Sequence, residues 1–143
     1  MLKLAFCGND CNICERYIAT RSGDAVQAVQ LEEVAVLWKR LGYRDSIEPP
    51  EKMACYGCSS ALWCRFGIKE CSLQSKAANC GRCGEYPCGK IETMFHWNLM
   101  HAERMKDKCS KKDYDRLLNV PDTKKQNLDK EHRIYLLEKD LLK

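Results

Sequence analysis

This sequence predicts a mostly α-helical single domain, four to five helices joined by irregular cysteine-rich loops that a metal holds in shape. Three observations carry that expectation. Apolar residues recur at helical spacing along two long stretches, and ten of the eleven cysteines fall in two bursts. The second burst also lies in a segment with too few consecutive apolar residues to build a core of its own. At 143 residues the chain is long enough for one modest hydrophobic core.

The chain opens on Met1-Leu2-Lys3-Leu4-Ala5-Phe6, with one Lys and few apolar residues before Cys7. That is too short for a signal-peptide core, and no run of about 18 apolar residues follows anywhere. A cytoplasmic protein with reduced thiols and no membrane span is therefore expected, and in such a compartment paired cysteines favour metal over disulfides. Cys7 to Thr20 holds the first burst and runs into a short helix carrying Tyr17 and Ile18. Ser22-Gly23-Asp24 then offers caps for a second helix from Ala25 to Leu41. Leu31, Val34, Ala35, Trp38 and Leu41 define its buried face, and Gly42 is its stop.

Arg44 to Lys52 is expected as a loop, with Pro49-Pro50 excluding helix. Cys55 to Cys88 should be irregular and held by its ligands. Pro87 marks the start of a helix of about five turns, on which Ile91, Met94, Phe95, Asn98, Leu99, Ala102 and Met105 share a face. Ser110-Lys111-Lys112-Asp113 reads as a capped start for a helix packing through Leu117, Leu118 and Val120. Pro121-Asp122 should break it before a last helix from Thr123 to Leu142. The whole is one domain over residues 1–143, with a cysteine-rich metal-binding core at 5–100 and a charged helical extension at 101–143. The net charge is +4. Basic and acidic residues alternate along the extension, which suits a solvated surface and counts against a nucleic-acid partner.

The candidate ligands are Cys7, Cys11, Cys14, Cys55, Cys58, Cys71, Cys80, Cys83 and Cys88. Two cysteines separated by two residues on a tight turn present both thiolates to one ion. Cys80-Gly81-Arg82-Cys83-Gly84 has this form, with a glycine placed for the left-handed step after the second thiolate. Cys55-Tyr56-Gly57-Cys58 is a second such pair, and spacing suggests that the two pairs form one four-cysteine zinc site. Cys7, Cys11 and Cys14 would form another, with the fourth ligand open among Cys64, Cys71 and Cys88. Cys88 stands at a helix start, where the macrodipole favours a thiolate. Cys109 reads as an incidental thiol, and His96, His101 and His132 as ordinary side chains rather than ligands.

About two zinc ions are expected. The alternative cofactor is a [4Fe–4S] cluster at the first burst, since three cysteines at such short intervals also suit iron. Cys7-x3-Cys11-x2-Cys14 is the spacing of radical-SAM enzymes, but strand–helix alternation is missing here. The same lack counts against a thioredoxin-like oxidoreductase. No catalytic set is legible, so an adaptor with a protein partner is expected ahead of an enzyme.

Cys7-Gly8-x2-Cys11-x2-Cys14 with Tyr17, then Cys55-x-Gly57-Cys58, resembles the opening of domain-of-unknown-function family 3795. Cys64, Ile68, Cys71 and Asn79-Cys80-x2-Cys83-x-Glu85-Tyr86-Pro87-Cys88 resemble its closing signature. The likeness covers roughly residues 5 to 100. It implies a small cysteine-rich protein, of a kind found mainly in anaerobic bacteria and archaea, whose cysteines bind zinc. It implies no reaction.

Overall fold

The computed structural model describes residues 3–58 and 64–141. Among them are six α-helices and one 3-10 turn, with an isolated β-bridge between Leu4 and Asp10 in place of any sheet. The helices are α1 (Glu15–Thr20), α2 (Asp24–Arg40), α3 (Pro50–Met53), α4 (Ile68–Ser75), α5 (Gly89–Met105) and α6 (Lys111–Leu141). The turn spans Cys80–Arg82.

Helical periodicity predicts α2 and α5 within two residues of their ends. In α2, Leu31, Val34 and Ala35 are buried, and Leu41 caps the C-terminus before Gly42 takes φ +79°. The N-terminus differs from expectation. Gly23 is the N-cap with no side-chain cap bond, while the Ser22 hydroxyl turns back to donate to Ala19 O at the end of α1. Pro87 does not open α5, because the helix begins at Gly89 with Cys88 as N-cap. Ile91, Met94, Asn98 and Ala102 are buried on α5, but Leu99 is 52% exposed and its place is taken by buried His101.

Three segments behave differently from the local rules. Pro49-Pro50 does not exclude helix: Pro50 opens α3, where its missing N–H is one that no helix would satisfy. The segment between Cys55 and Cys88 is not irregular throughout, since it contains α4. Pro121 breaks nothing. It lies inside α6, a single helix of 31 residues where two were expected. Leu117, Pro121 and Leu128 are all buried, and their spacing places them on one helical face. Packing on both sides of the proline outweighs the one hydrogen bond that its ring removes. The expected cap is made, with Asp113 N–H donating to Ser110 Oγ at 3.1 Å. Leu142, the expected end of the last helix, lies outside the described residues.

Three clusters form the core. Ala19, Leu31, Val34, Ala35 and Met53 join α1, α2 and α3. Leu41, Ala102 and Leu117 join the ends of α2, α5 and α6. Between the cysteine loops and the helices lies the third, Ile68, Tyr86, Ile91, Met94 and Leu128, against which Cys7, Cys64, Cys80 and Cys88 pack. The helical extension is therefore part of the core rather than an appendage, because Leu128 is fully buried beneath the cysteines.

Candidate functional site

The N-terminal residues fold back on themselves before the first helix. Cys11 N–H donates to Lys3 O and Ala5 N–H to Asn9 O, both at 2.8 Å, which closes a narrow loop. Cys7 stands at its tip and Cys11 at its stem. Gly8, with φ +90°, lets the tip press on α6, where a Cβ would fall 2.7 Å from Lys124 O and from Leu128 Cγ. Asn127 Nδ2 donates to Gly8 O at 3.0 Å and holds the tip there.

The rest of the cysteine loops are fastened to this hairpin and to the helices around it. Cys80 N–H donates to Phe6 O at 2.9 Å. The turn that follows meets α6 so closely that a Cβ on Gly81 would sit 2.6 Å from Leu128 O. Arg82 pairs with Glu131 at 3.1 Å and Glu138 at 2.9 Å, and Asn79 Nδ2 donates to Glu131 Oε1. Tyr86 donates its hydroxyl to Asp129 at 2.7 Å. On the other side, Arg16 of α1 donates to the carbonyls of Lys52, Met53 and Ala54, and Cys55 N–H donates to Thr20 Oγ1 at 2.9 Å. Arg16 and Thr20 thus hold Cys55 beside α1. Neither residue stands out in the sequence, because their partners lie more than 30 positions away.

All eleven cysteines are free thiols, Cys11 buried and the others half-buried. Burial pushes Cys11 up to about 11, with Cys14, Cys55 and more weakly Cys7 adding to it and Lys3 opposing. Cys14 is raised by burial, against the N–H groups of Tyr17 and Arg16, and Glu15 and Cys55 raise it further. Burial likewise lifts Cys58 to about 11, where Phe6 N–H opposes and Cys7, Cys64 and Cys55 add. Cys80 reaches about 12 through burial, with the Ser72 hydroxyl 3.8 Å away opposing and Cys7, Cys88 and Cys71 adding.

Thiols distant in sequence therefore lie close enough to act on one another: Cys11 with Cys14, Cys55 and Cys7, Cys58 with Cys7, Cys64 and Cys55, and Cys80 with Cys7, Cys88 and Cys71. Cys83 ends the 3-10 turn, tied by its backbone to Cys80 and Tyr86. Cys109 packs at the far end of the molecule, against Leu41, Ala102 and Leu117. Among the described residues, no three His, Cys, Asp or Glu side chains close to ligating distance. In kind, the donor set fits a thiophilic ion: soft, half-buried thiols meeting across loops that have little core of their own.

The histidines serve the frame. His132 Nδ1–H donates to Gly81 O and His101 Nε2–H to Leu41 O, each at 2.8 Å, while His96 is exposed. No helix among the described residues is long and apolar enough to cross a membrane.

Fold and site together define a small helical, cysteine-rich protein. The chain belongs to the family described as protein of unknown function, DUF3795, which matches residues 3–93. That match takes in every cysteine of both bursts and stops within α5, so the helix that covers the cysteine turn lies beyond it. No curated protein and no solved structure matches the chain significantly.

Proposed function

We propose that this protein binds two zinc ions per chain, which hold the cysteine loops on the helical frame of an adaptor for a protein partner. Cys11, Cys14, Cys55 and Cys58 are the proposed ligands of the first ion. Cys7, Cys71, Cys80 and Cys88 are those of the second. What supports the reading is that thiols from distant parts of the sequence lie near enough to act on one another electrostatically, Cys55 with Cys11 and Cys14, and Cys80 with Cys7. Zinc would supply the cross-link that the loops between Cys55 and Cys88 otherwise lack.

A structural ion is favoured over a reactive one because no burst cysteine is fully exposed and Cys7, Cys64, Cys80 and Cys88 pack against the core at Ile68, Ile91 and Leu128. Neither large groove of the surface is lined by any burst cysteine. Zinc is favoured over a [4Fe–4S] cluster because the tight two-residue spacing of Cys55 and Cys58, with Gly57 between them, suits a single tetrahedral ion.

Elemental analysis with a visible spectrum, on protein purified without oxygen, tests this. Two zinc per chain and a colourless sample are expected. Iron with sulfide and a brown colour would replace the reading by a redox one, and protein free of any bound metal would end it.

A further inference from the structure

Away from the cysteines, α2 is apolar on two faces and packed on only one. Leu31, Val34 and Ala35 are buried in the cluster that joins it to α1 and α3. On the other side Val26, Val29 and Val36 are 43%, 57% and 49% exposed, and Ala25 and Ala28 are exposed beside them. Ala25, Val29 and Val36 follow at intervals of four and seven residues, which sets them in one stripe along the helix. A helix that is apolar all round is one that is enclosed all round. Valine also suits a solvated helix surface poorly, because its branched Cβ restricts rotamer freedom and gains no packing in return. Single apolar residues on a surface need no explanation, but a continuous stripe marks an interaction face.

The charges of the stripe say what covers it. Glu32 and Glu33 are exposed between Val29 and Val36, each three or four residues from both valines and one on either flank. Among the described residues, neither has a basic side chain within ion-pair distance. A second copy of the chain crossing α2 at its midpoint would set these glutamates against their own counterparts, and like charges across an interface cost affinity. A helix flanked by lysine or arginine supplies the counter-charges that both carboxylates lack.

We propose that the exposed face of α2 docks an amphipathic helix of a partner protein, with apolar residues three and four apart and lysine or arginine on the flanks. Valine and alanine are short, so the two helices approach closely and the partner's larger side chains fill the spaces between them. This deepens the adaptor reading and rests on it, but not on the metal.

Fluorescence anisotropy of two labelled synthetic peptides, each as long as α2, tests this with the full-length protein. Both carry leucine at intervals of three and four, with lysine on the flanks of one and glutamate on those of the other. One-to-one binding of the lysine peptide is expected, about tenfold or more tighter than that of the glutamate peptide. Val29→Gln with Val36→Gln should weaken it about tenfold, the weight of a buried valine. Glu32→Gln with Glu33→Gln should erase the preference for lysine. Leu137→Gln, at an exposed apolar position of α6, should change neither result. Every substituted residue is exposed, so circular dichroism should match the wild type throughout. Equal binding of the two peptides, no binding of either, or a loss that Leu137→Gln shares would overturn the proposal. So would a dimer in analytical ultracentrifugation that the paired valine substitutions dissolve, because α2 would then be covered by its own copy. Metal content read on the same samples tests the zinc reading separately, so failure of the one is told apart from failure of the other.

Discussion

His132 donates its Nδ1–H to the carbonyl oxygen of Gly81 at 2.8 Å, joining the last helix to the turn between Cys80 and Cys83 across 51 positions of sequence. Three further side chains of that helix, Asp129, Glu131 and Glu138, bind the same region through Tyr86, Asn79 and Arg82. The cysteine turn is therefore clamped from outside the segment that defines the family.

The clamp should be measurable. His132→Ala leaves a partly buried carbonyl without its donor and should cost about 1–2 kcal/mol. Leu128→Ala, at a fully buried position, should cost about 2–5 kcal/mol. Urea unfolding of each variant, prepared without chelator, checks both. A Leu128→Ala variant as stable as the wild type would mean that α6 does not cover the cysteines in solution.

Gly81→Ala and Gly89→Ala make a matched pair. A methyl group at 81 meets Leu128 O at 2.6 Å and Glu131 Cβ at 2.9 Å, so the helix must shift, at a cost of about 1–3 kcal/mol. At 89 nothing lies within 4 Å, and the change should be neutral to slightly stabilising. Thermal unfolding of the two proteins side by side reads the difference.

Metal content distinguishes the spatial grouping from the spacing of the pairs. Cys80→Ser should release one of two zinc ions, whereas Cys83→Ser should keep both. Equal loss from the two variants would restore the grouping of Cys55 and Cys58 with Cys80 and Cys83. Chelation should remove both ions and unfold the loops, seen as lost circular dichroism.

Arg40 and Asp113 give a pH dependence with a definite sign. The hydrogen bond from Arg40, then its charge, holds the Asp113 carboxyl below its ordinary value, against the effect of burial. A carboxyl depressed in the folded state stabilises above its unfolded pKa of about 3.9 and loses that contribution as pH falls through the folded value. Asp113→Asn should therefore be less stable than wild type at pH 7, and the gap should close in acid. Comparing urea midpoints of the two proteins between pH 7 and pH 2 isolates this pair, because any acid loss of metal is common to both. A gap that is constant with pH would assign the effect to packing alone.

Periodicity by itself was enough for α2 and α5, because a buried stripe at Leu31, Val34 and Ala35, or at Ile91, Met94 and Ala102, is a property of neighbours in the chain. The family's cysteine string was equally legible, because its spacing is local, and so was the Ser110 cap. Pro121 was not. Its local rule breaks a helix, and only burial of Leu117 and Leu128 on either side of it decides otherwise. Leu99 shows the same limit, because helical spacing puts it on the apolar face while the packing around His101 leaves it in solvent. Which thiols meet is a further question that spacing cannot answer. The bridge between Leu4 and Asp10 sends Cys7 and Cys11 to opposite ends of one hairpin, and Arg16 draws Cys55 to the stem. The chain determines its helices and its donor atoms through contacts a few residues apart. The tertiary structure decides which of those donors stand near one another, through hydrogen bonds and packing between residues that sequence spacing does not relate.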